Sequence, residues 1–159
     1  MTIKQSSKAI GIAAAVLFAT ASVHAQPAAD NFTFTTKSGE PTIVGGNASA
    51  GNDYTGMHLD GTFENIRSTG QKTRGTFTCV AMTQPPNGKL FDMHMLCDAT
   101  DNTGKYSVTM GCTIIDIATG HYSCIGGLYG KSGAYAGRRG TLTNYSLNGQ
   151  ATGTGQWYR

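Results

Sequence analysis

Between residues 74 and 126, apolar side chains recur at every second position through four successive runs, and all four cysteines of the chain fall on that apolar side. Residues two apart in an extended strand point the same way. One face therefore carries Phe77, Cys79 and Ala81, then Phe91, Met93, Met95 and Cys97, then Val108, Met110, Cys112 and Ile114, then Tyr122 and Cys124. The opposite face carries Thr76, Thr78, Asp92, His94, Asp98, Ser107, Thr109 and Ser123, which suit water. The pattern predicts a sheet with a dry inside and a wet outside. That polarity excludes an outer-membrane barrel, whose apolar band faces outward around a polar lumen.

The remaining chain reads the same way. Runs rich in Thr, Val, Ile, Phe and Tyr at 31–37, 41–44, 56–67, 74–83, 89–99, 106–117, 121–126, 140–147 and 151–158 are predicted strands. No segment beyond the N-terminal leader holds a helical period. Hairpin signals separate several of the runs: Pro86-Asn87-Gly88, Asn102-Thr103-Gly104, Ala118-Thr119-Gly120 and Asn148-Gly149. Many short antiparallel strands at this spacing make an all-β sandwich or barrel.

The leader, residues 1–25, has the order of a secretory signal. Lys4 and Lys8 precede the apolar run from Ile10 to Ala21, and Val23-His24-Ala25 supplies a small-x-small cleavage site before Gln26. The run is shorter than the ~20 residues of a membrane span, and no cysteine follows it to take a lipid anchor. The expected location is periplasmic or extracellular, with no membrane span after cleavage. Removing 25 of the 159 residues leaves 134, residues 26–159, enough for one domain with its own core. The leader holds two of the twelve basic residues and none of the nine acids, so the mature chain has ten against nine, a net charge of +1. Such a balance gives no reason to expect a nucleic-acid partner.

In an exported chain, Cys79, Cys97, Cys112 and Cys124 are expected to form two disulfides. Their long gaps lack the Cys-x-x-Cys pairs of zinc sites, and no metal is expected. If the four cysteine-bearing strands form a simple meander, Cys79 and Cys124 lie three strand spacings apart, about 14 Å at ~4.8 Å per strand. A disulfide spans Cα separations of only about 4.4 to 6.8 Å. The meander thus favours Cys79 with Cys97 and Cys112 with Cys124. A barrel that closes early, or formation of one bridge alone, leaves the other pairings open.

The stretch from Ile125 to Thr143, with Gly133, Tyr135, Gly137 and Gly140, and the later Gly153-Thr154-Gly155-Gln156-Trp157, resembles the glycine-rich signature of dirigent proteins and of bacterial secreted proteins with an allene-oxide-cyclase-like barrel. The start departs from that signature, where Leu128, Tyr129, Lys131 and Ser132 replace a compact Gly-Thr-Gly. The resemblance implies an antiparallel up-and-down barrel of eight strands or nearly so, an internal apolar cavity, and assembly as a homotrimer. Independently of the family, glycines on both sides of Ala134-Tyr135-Ala136 allow positive φ, so the chain can turn sharply while Tyr135 packs inward as a plug. On the last strand Ala151, Gly153, Gly155 and Trp157 share a face whose small members leave room for large neighbours. No helix follows the glycine-rich stretch, which argues against a phosphate-binding loop.

No acid or base of the plant enzymes has a matching motif here, so no catalytic residue is assigned. In a barrel of the implied kind, the inward residues Phe77, Met93, Met95, Met110 and Tyr122 are the candidate cavity lining. A second constellation lies outside: His58, Asp60 and Glu64 on one strand, Asp92 and His94 on another. Were those strands adjacent, imidazoles and carboxylates could bind a divalent metal or carry protons. Serine and histidine occur without a nucleophile-elbow context, so a hydrolase is unsupported. No motif asks for a cofactor. Three expectations follow: a barrel binding a small apolar ligand or a partner, a cyclase or isomerase acting on a lipid-like or aromatic substrate, or a structural, oligomer-forming protein. An open cavity with an inward acid or tyrosine favours the second; an interior filled by its own side chains favours the third.

Overall fold

The alternating runs hide their apolar face by closing the sheet upon itself: the computed structural model is an all-β closed barrel. It describes residues 30–45, 54–84, 90–116 and 118–158. The leader with its cleavage site, and the Pro86-Asn87-Gly88 turn, lie outside the described residues. Nine strands follow one another: β1 (Asp30–Ser38), β2 (Thr42–Val44), β3 (Gly56–Arg67), β4 (Lys72–Thr83), β5 (Met93–Asp101), β6 (Gly104–Asp116), β7 (His121–Gly133), β8 (Arg139–Leu147) and β9 (Gln150–Trp157). Sequence neighbours from β3 to β9 are sheet neighbours, every pairing is antiparallel, and β1 closes the ring between β9 and β3. Eight strands make the barrel. The ninth, β2, continues the course of β1 along the first residues of β3, pairing Thr42–Val44 with Gly56–His58.

Both disulfides join directly facing residues of adjacent strands, Cys79 with Cys97 and Cys112 with Cys124, each with Cα atoms 4.0 Å apart. This is the pairing that a meander favours. The loops they close span 18 and 12 residues, and cross-links of that length are worth about 3 kcal/mol each.

The interior is filled by a repeated device. Phe32 faces Gly155 and Phe34 faces Gly153 across β1 and β9, while Phe63 faces Gly75 and Phe77 faces Gly61 across β3 and β4. Each ring lies over the glycine opposite, where a Cβ would collide with it. Small residues on one strand thus make space for aromatics on the next, as rings on bare glycine backbone do in many sheets.

One end of the barrel is stoppered. The turn after β7 has positive φ at Gly133 (62°) and Gly137 (72°), and it folds Tyr135 inward until only 1% of its surface remains exposed. The Tyr135 ring meets Tyr106 at 4.9 Å and Trp157 at 5.0 Å between centroids. Its hydroxyl donates to Asp101 Oδ2 at 2.6 Å. Outside this stopper Asp30 receives Arg67 at 3.0 Å and Arg138 at 3.3 Å, tying the start of β1 to the end of β3 and to the Tyr135 turn.

One inward expectation is corrected. Phe91 lies on the outside, its ring covering the outward-facing Gly111 and standing 5.9 Å from His94. The strand begins only at Met93. The bend at Asp92, whose N–H donates to Cys112 O and whose carboxylate accepts from the Ile114 N–H at 2.9 Å, breaks the alternation that was extended back to Phe91.

Candidate functional site

Between the stopper and the opposite rim the barrel encloses a narrow void of about 90 Å³. It runs from Asn65 and Tyr106 beneath the stopper, past Phe77, Met95 and Met110, to Thr36, Ser38 and Tyr122. These last three are partly exposed, so the void leads towards the rim where β1 ends and β7 begins. Its wall is largely hydrocarbon and aromatic because the inward parity of every strand selects such residues. No Asp, Glu, His, Lys or Arg lines it among the described residues.

Of the expected lining, Phe77, Met95, Met110 and Tyr122 reach the void. Met93 is buried in the core to 1% exposure and is not among the residues that line the void. Two asparagines, which the alternation argument did not single out, also line the void: Asn65 and Asn144. Asn65 Nδ2 lies 3.5 Å from Thr73 Oγ1 and 3.4 Å from Tyr106 Oη. Asn144 is 9% exposed. Among the described residues its Oδ1 has no hydrogen-bond partner, and its Nδ2 has Cys124 Sγ at 4.0 Å. A buried amide is ordinarily satisfied, so Asn144 stands out. Parity alone places it inside, two positions from Leu142 and two from Ser146. The signal is masked because the outward residues beside it, Tyr145 and Leu147, are themselves large and apolar.

Tyr106 and Tyr135 are buried in the barrel. Burial pushes the Tyr106 phenol up, so it keeps its proton and serves as a hydrogen-bonding group. Tyr135, in the stopper, is also raised, by burial and by its bond to Asp101. At Asp101 burial pulls upward, but hydrogen bonds from Tyr135, Thr103 and Thr73 outweigh it and hold the carboxyl below its usual range.

The outer polar residues do not form one cluster. His58 Nε2 lies 3.9 Å from Asp60, and Asp60 accepts from Thr78 at 2.5 Å. Glu64 is bound by Arg74 at 2.6 Å, which holds its carboxyl low, and has Lys72 at 3.6 Å. Asp92 and His94 stand beyond β4: His58 faces Val80 and His94 faces Met82 on that intervening strand. Among the described residues no three of His, Cys, Asp and Glu gather closely enough to hold a metal ion. No helix among them is long and apolar enough to cross a membrane.

Comparison of the chain with protein-family models, with curated proteins and with solved structures gives no match.

Proposed function

We propose that the chain is exported, loses its leader, and serves as a non-catalytic barrel that holds a small apolar ligand. The void of about 90 Å³, stoppered by Tyr135 and walled by Phe77, Met95 and Met110, carries this reading. Two buried disulfides suit an oxidising compartment. The likeness of the Gly133 to Gly140 stretch to secreted barrels with internal cavities is in keeping with it, and would extend to a trimer.

A cyclase reading draws on the inward Tyr106 and Tyr122, but it lacks a carboxylate, imidazole or amine in the wall to move a proton. The structural reading has a firmer point in its favour. Ligand pockets usually measure about 300–1,000 Å³, and this void is far smaller.

Native mass spectrometry of the mature chain from Gln26, made in an oxidising compartment, separates these readings. A retained small molecule together with a mass about four hydrogens below the reduced chain is the expected result. A ligand-free barrel that also takes up neither xenon nor a short alkane overturns the binding reading in favour of the structural one.

A further inference from the structure

We propose that the ligand is a small, neutral molecule bearing one hydroxyl group, and that the Asn144 amide is the residue that recognises it. This rests on the binding reading above and adds to it the chemistry of the occupant.

Asn144 lies inward on β8. In the sheet register it faces Cys124 on β7 and Gly153 on β9, and the Phe34 ring covers Gly153. Cys124 is spent in a disulfide, and neither the ring nor the glycine offers a side-chain hydrogen-bonding group. Asn144 lines the void, and whichever way the amide is turned, one polar end has no partner among the described residues. Leaving such a group dry is unfavourable. A water molecule there would itself need two to four polar partners. A ligand hydroxyl needs only this one amide, because it can donate to the oxygen or accept from the nitrogen, while its carbon chain occupies the apolar wall.

The wall also sets the charge. With no cation or anion lining it, a carboxylate or an ammonium would be buried without a counter-charge, which is strongly disfavoured. Size follows from volume: at about 90 Å³ the void is smaller than the apolar cavity of about 150 Å³ that takes up benzene. The occupant is therefore a small molecule of a few carbons, or the end of a longer one entering past Ser38 and Tyr122.

The test uses n-butanol and n-butane as probes, titrated into the oxidised mature protein and into Asn144→Leu, with binding followed by NMR shifts of the interior methyl groups. The expected result is that Asn144→Leu weakens n-butanol about ten-fold or more and changes n-butane by less than about two-fold. Unchanged n-butanol affinity overturns the role of Asn144 while leaving the binding reading in place. Failure of both probes to bind the unaltered protein overturns both. If Asn144→Leu loses both probes, Asn144→Ala, which enlarges the void, decides: selective loss of n-butanol supports the proposal, and parallel loss overturns it. A ligand-free Asn144→Leu protein that melts as high as the parent or higher is also expected. A clear drop makes the amide structural and sinks the recognition role.

Discussion

Trp157, the last residue of β9, lies against Tyr135, in the turn between β7 and β8, with ring centroids 5.0 Å apart. Tyr106 meets both, at 5.5 Å and 4.9 Å, so three separate parts of the chain close the same end of the barrel. Truncating Tyr135 to alanine removes a fully buried ring and is expected to cost about 3–5 kcal/mol. Tyr135→Phe keeps the ring, strands the Asp101 oxygen, and should cost about 1–3 kcal/mol. Urea denaturation of the two variants checks this. Equal losses would mean that the ring does not stopper the barrel.

Asp101 gives a pH signature. Burial pulls its carboxyl upward, but hydrogen bonds from Tyr135, Thr103 and Thr73 outweigh this and hold it below the usual carboxylate range in the folded barrel. The folded state therefore favours the ionised form, and the unfolded chain takes up the proton first. The contribution to stability is fully present above the unfolded value and is lost as pH falls through the lower folded value. The stability gap between the parent and Asp101→Asn should accordingly be constant near neutrality and narrow as pH drops below about 4. A gap that widens on acidification contradicts the assignment.

Cys112 is fully buried and Cys79 and Cys124 are 2% exposed. A reductant should therefore leave both bridges intact in the native protein and cleave them once denaturant opens the barrel, as thiol labelling with and without urea will show. Replacing Cys79 and Cys97 together by alanine should lower stability by about 3 kcal/mol, and the Cys112 and Cys124 pair by slightly less because its loop is shorter.

Gly155 and Phe32 should behave as one unit. A methyl group at Gly155 meets the Phe32 ring before anything else, so Gly155→Ala is expected to cost about 1–3 kcal/mol by overpacking. In a Phe32→Leu background the same change should cost less, giving a coupling of about 0.5–3 kcal/mol in a double-mutant cycle. Strict additivity would show that the ring does not rest on the glycine.

The strand map and the disulfide pairing were legible because a two-residue period leaves little freedom: once Cys79, Cys97, Cys112 and Cys124 share the inward parity of consecutive strands, only neighbours can bridge. The Tyr135 stopper was legible from the glycines flanking it. Phe91 was not, since parity carries through a strand but not across the bend at Asp92. Parity also assigns a face without assigning a neighbour, and so it put His58 and His94 on the same outer surface without showing that β4 stands between them. Asn144 escaped notice for the converse reason. Its inward position was implied, but the outward Tyr145 and Leu147 blurred the contrast that marks a strand's dry side.

The pairing of β1 with β9, from Asp30 opposite Trp157 to Lys37 opposite Gln150, joins the first described strand to the last. The consecutive hairpins, and both disulfides within them, involve partners near in sequence and can form as the polypeptide lengthens. Ring closure cannot. Until β9 arrives the sheet is an open ribbon with two bare edges, prone to pairing with other copies. The final event is a contact of high sequence separation and is intrinsically slow. A chain cut short before Gln150, where β9 starts, would thus lose far more than one strand, since no other described strand can seal the seam.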